Sequence, residues 1–391
     1  MHTAQNPTRQ IFLDWLRIIA FALLVVYHVG MYYVSWDWHI KSPHAGTALE
    51  PWMRLLSPWR LGLLFLVSGA ATSFMLLRQG ASAEMLRTRA KRLLIPLLLG
   101  IFVIVPPQAF FEVMHKYAYA GGYLDFMRLY LSGYGGFCAQ VGHCLILPTW
   151  NHLWFLPYLF VYTLVLWLIL RRWPRLLDAL ALPVHRVLRG PWLLVLPVVV
   201  LAITRYALVQ RFPVSHALVD DWFAHTQFLA LFMLGAVSAR AGAVWDHMAQ
   251  QRWPALLLAV AAWAVLVAAA PEVLRPVLYS VQQWCAIVAA LGFARRHLNQ
   301  DSAARRYLSE AVFPVYILHQ TLTILLAQAL LGAALPAGVE GALLVLATFV
   351  LSFAGFEAVR RLRWVRLLFG LNAPLHQRTS ASVNASAGDA G

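Results

Sequence analysis

Ten apolar runs, each of roughly the length that crosses about 30 Å of hydrocarbon, follow one another along 391 residues. They lie near residues 11–33, 55–77, 93–114, 152–170 and 191–210, then near 222–240, 253–270, 276–294, 311–331 and 339–358. The run at 253–270 is the shortest, and a polar stretch interrupts the pair spanning 191–240. Backbone in lipid has no water to bond, so each run must satisfy its own N–H and C=O groups, which an α-helix does. The expected fold is all-α: a polytopic transmembrane bundle of about ten helices. One membrane domain covers residues 1–370, and 371–391 form a polar, disordered cytoplasmic tail rich in small residues such as Ser380, Ala381 and Ser382.

Composition agrees with lipid as the solvent. The chain is 61% hydrophobic and 12% charged, against about 25% charged in soluble domains. Sixteen Trp and fourteen Tyr suit aromatic belts at two interfaces. The first run is longer than a secretory apolar core of about 7–15 residues and contains Asp14 and Arg17. It is read as a retained helix.

A net charge of +15 suggests nucleic acid, but such binders cluster charge on one face of a folded domain. Here the cations fall in short loops, where orientation explains them. With the N-terminus inside, the cytoplasmic segments hold 22 of the 31 Lys and Arg, among them Arg171, Arg172, Arg295, Arg296, Arg305 and Arg306. The opposite side keeps seven, including Lys41, Arg54, Arg60, Lys116 and Arg128. That imbalance, alternating loop by loop, places both termini in the cytoplasm.

The longest external segment, about 115–151, reads as a loop with a short amphipathic helix around Tyr123–Leu131. Its Cys138 and Cys144 allow two readings, a disulfide or two free thiols; Cys285 falls in a helix and reads as packing. Histidines are scattered without zinc-helix spacing, so no metal is expected.

The first helix carries the densest chemistry. Charged groups in a membrane helix are costly and are functional candidates by default. Arg17 and His28 stand eleven residues apart, three turns and about 16 Å along one face. Asp14 lies one turn before Arg17 and reads as its partner. Arg60 reads either as a ligand-binding cation or as a snorkelling side chain. Ser68-Gly69 reads as a close helix contact, and His152 beside Trp154 as an interfacial anchor. Glu112, Arg205, Gln282, Gln283 and Glu357 are candidate cavity-lining groups.

Taken in order, these motifs resemble the acyltransferase-3 membrane acyltransferases. The matching stretches are Leu13-Asp14-Trp15-Leu16-Arg17 with His28, Trp38-His39-Ile40-Lys41-Ser42, and Arg60 through Ser68-Gly69. Arg89-Ala90-Lys91-Arg92, read as a basic loop entering the third helix, continues the series. Pro107-Gln108, His152-Leu153-Trp154-Phe155-Leu156 and Tyr316-Ile317-Leu318-His319 complete it. The resemblance spans residues 10 to about 365 and is strongest to the branch that succinylates periplasmic glucans. It departs at Gln320-Thr321, where the family often has a Pro, and in the Gly- and Cys-bearing external loop.

What the resemblance implies is an integral O-acyltransferase of a bacterial inner membrane. It would move an acyl group, succinyl or acetyl, from cytoplasmic acyl-CoA to a hydroxyl of a periplasmic or cell-surface glycan. His28 would be the general base, Arg17 would hold donor oxygens, and Asp14 would orient Arg17. Arg87, Arg89, Lys91 and Arg92 would draw in CoA phosphates, with a purely topological role as the competing reading. Arg60, Glu112, Tyr316 and His319 would meet the acceptor. Expected partners are acyl-CoA, the glycan and membrane lipid, with no metal and no nucleic acid; a homo-oligomer is left open. The competing function is a transporter or flippase, since intramembrane Arg, His and Gln also line transport paths. Against it, the chain shows no paired short broken helices in two halves.

Overall fold

The computed structural model describes residues 10–140 and 143–371. The expected tail therefore lies, from residue 372 onward, outside the described residues. The chain is helical almost throughout, in fifteen α-helices among the described residues, with one two-stranded hairpin. It divides into two compact units, residues 10–88 with 154–312 and residues 89–153 with 313–371.

Every expected span falls on helix, but the spans differ in kind. Six helical segments are long and apolar enough to cross a membrane: Ile11–Tyr33, Glu50–Gln79, Asn151–Arg172, Glu272–His297, Ala303–Ala333 and Ala337–Arg361. Three more are bent pairs: Ala83–Ile104 with Pro106–Tyr117 at 45°, Leu176–Val187 with Trp192–Leu208 at 108°, and Trp222–Ser238 with Ala243–Gln250 at 111°. The tenth, Arg252–Val267, has 16 residues, or about 24 Å at 1.5 Å per residue. It falls short of the full hydrocarbon thickness.

In the first unit, α1 (Ile11–Tyr33) ends in an extended Val34, and its last carbonyls need donors. The following strap supplies them. Lys41 Nζ donates to Met31 O at 2.7 Å and to Val34 O at 2.8 Å. Ser42 N–H reaches Tyr32 O, and Gly46 N–H reaches Tyr33 O. The Trp38–Ser42 motif is thus a cap: Ile40 is buried between its neighbours and Lys41 closes the helix end.

Helix α2 (Glu50–Gln79) packs on α9 (Trp222–Ser238) through two glycines. A Cβ on Gly69 would overlap the carbonyl oxygen of Phe232, and one on Gly235 would overlap the carbonyl oxygen of Leu66. Backbone therefore meets backbone, as expected for Ser68-Gly69. At the end of α9, Arg240 donates from Nε to buried Ser73 and from Nη1 to Asp178.

In the second unit, α3 (Ala83–Leu99, which begins in the first unit) runs into one π-turn at Gly100–Ile104 and then α4 (Pro106–Tyr117). Pro106 and Pro107 have no N–H to give, so carbonyls before them need other donors. The Tyr130 hydroxyl lies 2.8 Å from Ile101 O and 3.0 Å from Thr149 O, and it accepts from Thr149 N–H. Thr321 Oγ1 donates to Ile104 O at 2.7 Å. Tyr130 belongs to α5, which runs Tyr123–Leu131, the stretch expected as a short amphipathic helix. Burial pushes its hydroxyl up to about 12, so it remains a donor at any physiological pH. Beyond α5, strands β1 (Cys138–Gln140) and β2 (His143–Cys144) pair antiparallel, and Cys138 and Cys144 are disulfide-bonded. The disulfide reading holds and the free-thiol reading does not. Cys285 is buried.

Candidate active site

Asp14 and Arg17 occupy successive turns of α1, yet the structure gives Asp14 a nearer partner. Arg305, in the first turn of α13 (Ala303–Leu330), places Nη1 2.6 Å from Asp14 Oδ2, whereas Arg17 Nη2 is 3.8 Å from Asp14 Oδ1. Arg305 is 2% exposed and also binds Asp301 through Nε at 2.7 Å. Hydrogen bonds from Arg305 and Arg306 hold the Asp301 carboxyl below the usual carboxylate range. Asp14 thus pairs with Arg17, as expected, and is held more closely still from α13. Arg17 is half-buried and also donates to Ser309 O at 3.4 Å. A buried guanidinium between two carboxylates is stable because both charges are compensated. Reading Arg305 as a loop charge missed it. The available signal was Asp301 four residues ahead of Arg305, a helix-start ion-pair spacing.

Three turns along the same face, half-buried His28 follows Tyr27. The Tyr27 ring centroid is 6.2 Å from that of His28 and 3.7 Å from Cζ of Arg60 on α2. Arg60 is 3% exposed, which rules out the snorkelling alternative: its head group is inside the unit. The Tyr27 hydroxyl donates to Ser57 Oγ at 3.4 Å. Asp14, Arg17, His28 and Arg60 thus all belong to the first unit.

Arg205 and Gln283 also pair there, at 3.1 Å. The same unit holds a set that sequence reasoning did not single out. Tyr158 donates to Asp221 at 2.5 Å, and Tyr162 is 3.0 Å from His225 Nδ1. Nε2 of His225 donates to Leu218 O, so Nδ1 accepts from Tyr162. These bonds seat the 209–221 connection, where His216 stacks on Trp154 at 4.0 Å. Burial pulls His216 down to about 4, with Asp221 opposing.

The second unit buries a separate network centred on Gln108. Its Nε2 donates to Thr321 Oγ1 at 2.6 Å and faces His152 Nδ1 at 3.3 Å. Its Oε1 accepts from Gln320 at 3.0 Å and Asn151 at 3.2 Å. All four hydrogen-bonding positions of the amide are used. His152 Nε2 donates to Ile317 O at 3.1 Å, and Tyr316 donates to His152 O at 2.6 Å. His152 is therefore buried within this network and is not the interfacial anchor expected from its Trp neighbour. His319 gives its Nδ1–H to Tyr316 O at 2.6 Å, which leaves Nε2 as the basic nitrogen of the neutral ring. Its ring lies 5.2 Å from that of His152 and 5.9 Å from that of Tyr316. Glu112, one turn beyond Gln108 on α4, binds Lys116 at 3.0 Å and stands outside the Gln108 bonds.

The basic run at 87–92 is part of helix α3 and not a loop. Arg87 belongs to the first unit and Arg89, Lys91 and Arg92 to the second, with Arg87, Lys91 and Arg92 exposed.

Long apolar helices that bury ion pairs, imidazoles and a saturated amide network define an integral membrane protein with polar chemistry inside its helical units. The profile of the acyltransferase domain family matches residues 10–357, and the chain belongs to that family, the acyltransferase-3 membrane proteins. Over 106 residues it is 29% identical to glucans biosynthesis protein C of Escherichia coli (strain SMS-3-5 / SECEC), covering 26% of this chain and 27% of that protein. The aligned region is thus about a quarter of the relative. No solved structure matches this chain.

Proposed function

We propose that the protein is an O-acyltransferase of the bacterial inner membrane. It takes an acyl group, succinyl or acetyl, from cytoplasmic acyl-CoA and esterifies a hydroxyl of a periplasmic or surface glycan. The observation that carries the reading is Arg17 and His28 on one face of α1, with Asp14 bridging Arg17 and Arg305. Family membership supports acyl transfer, and the partial likeness to a glucan biosynthesis protein supports a glycan acceptor.

In the proposed step His28 accepts the proton of the acceptor hydroxyl. The oxygen bonds to the thioester carbon, the carbon–sulfur bond breaks, and the proton passes from His28 to the leaving thiolate. The products are an ester and free CoA. Arg17 takes donor oxygens, for which a guanidinium offers a fork of donors. Arg87, Arg89, Lys91 and Arg92 add a long-range attraction for CoA phosphates that needs no contact. Acceptor contacts are proposed for Arg60 in the first unit and for Glu112, Tyr316 and His319 in the second.

The test is His28→Gln in the full chain, assayed with acyl-CoA and envelope glycan. We expect normal folding and donor binding and at least about a thousandfold loss of transfer, within the general-base range. In parallel, Arg17→Ala should lower kcat/KM for the donor about a hundredfold, the size of one lost charged contact. Transfer above a tenth of normal by folded His28→Gln refutes the assignment.

A further inference from the structure

Arg60 is out of proportion to its surroundings. Its side chain is 3% exposed, and its Nε and Nη1 atoms are buried with no hydrogen-bond partner among the described residues. No carboxylate pairs with it there. A desolvated guanidinium without a counter-charge is among the costliest groups a protein interior can hold. The Tyr27 ring at 3.7 Å offsets part of that cost through a cation–π contact. It satisfies neither N–H. Arg17, Arg305 and Arg240 each have an acidic partner, whereas Arg60 has two side-chain nitrogens, Nε and Nη1, without a partner among the described residues.

We infer that Arg60 is a carboxylate seat, so that one of the two reacting molecules carries a carboxylate close to the bond that forms. A sugar hydroxyl could fill one N–H but would leave the charge bare. A carboxylate cancels the charge and takes a bidentate fork through Nη2 together with either Nε or Nη1. CoA phosphates are a poor fit, because the pantetheine arm separates them from the thioester. Arg60 instead shares Tyr27 as a neighbour with His28, the proposed base. The carboxylate then sits either at the far end of a dicarboxylic acyl group, two methylenes from the thioester in a succinyl chain, or on an acidic sugar of the acceptor. This inference rests on the acyl-transfer reading and names what that site selects. In the transfer itself the carboxylate is a spectator: only the carbon–sulfur bond breaks, and the hydroxyl proton leaves through His28.

The experiment measures kcat/KM in the full-length protein with succinyl-CoA and butyryl-CoA, which differ by a carboxylate in place of a methyl. Each donor is paired with a neutral β-glucan and with a uronic-acid-bearing glycan. A site built to bind a polar group strongly rejects the analogue lacking it. We expect wild type to prefer the carboxylate by about a hundredfold in one arm: the donor arm if the acyl chain carries it, the acceptor arm if the sugar does. Arg60→Gln should bring that ratio to about one, and Arg60→Lys should restore part of it. If Arg60→Gln does not fold, the wild-type ratio and Arg60→Lys still decide. Ratios near one in both arms overturn the inference, as does a preference that survives Arg60→Gln. Failure of the acyl-transfer reading looks different, since neither donor is then transferred in a His28-dependent way.

Discussion

Replacing Gly69 by Ala adds a single methyl at the crossing of α2 and α9, where that methyl would overlap the Phe232 carbonyl oxygen and lie 2.7 Å from its carbon. Neither atom can swing aside, because both are backbone. The helices must separate locally, and Phe65, Leu66, Phe232 and Ala236, all fully buried, lose contact together. Overpacking costs about 1–3 kcal/mol, and backbone neighbours put this site at the upper end. Alanine recovers about 1 kcal/mol of helix propensity, so the net loss is about 2 kcal/mol. At about 1 °C per kcal/mol for a chain of 391 residues, the melting point of the detergent-solubilised protein should fall by about 2–3 °C. Gly62→Ala on the same helix is the control: its nearest neighbour is the Leu231 methyl Cδ1 at 2.8 Å, which can rotate away, and its melting point should stay within about 1 °C. Gly235→Ala repeats the clash from the other side, against Leu66. The double variant should lose less than the sum, since one separation relieves both contacts. A Gly69→Ala protein that melts with wild type, or no worse than Gly62→Ala, refutes the reasoning.

Arg305→Met should destabilise by about 3 kcal/mol, because it leaves the Asp14 carboxylate, 17% exposed, without its nearer cation. The Asp301 half is solvent-screened and adds little to that loss. Arg305→Lys should recover part of this loss in a thermal melt, and equal melting of Met and Lys variants would contradict the ion-pair account. His216 ordinarily titrates near 6.5 but is pulled down to about 4 by burial. Between those values the unfolded chain takes up a proton that the folded chain refuses, so stability should fall as pH drops from about 6.5 to about 4. The His216→Gln variant should lose that part of the slope in melts run across the window. Alkylation of the denatured, unreduced chain should label one of its three cysteines, Cys285. After reduction it should label all three, and three labels before reduction would exclude the Cys138–Cys144 bond.

The helical architecture was legible because lipid permits so few alternatives. A run of apolar residues long enough to cross is helix, whatever surrounds it. The same local logic found α5 from its periodicity, the close contact at Gly69 from its Ser-Gly pair, and the Arg17–His28 face from a spacing of eleven. None of these needs knowledge of a distant neighbour. The bends at 108° and 111° were read as plain loops, since the sequence marks where a helix stops but not the direction in which the chain resumes.

Partner choice belonged to the tertiary structure. Asp14 has Arg17 one turn away in sequence, yet binds more closely to Arg305, 291 residues on. Gln108 stood in the sequence as half of a Pro-Gln pair, and only folding fills its amide from Asn151, Gln320, Thr321 and His152. His152 looked interfacial from its Trp neighbour but is buried by contacts from α13. Arg60 could be read equally as snorkelling or binding until its burial decided the matter. The physical reason is the same in each case. Hydrophobic length acts through the solvent and is written locally, whereas compensation of a buried charge or amide depends on which remote group arrives within about 3 Å.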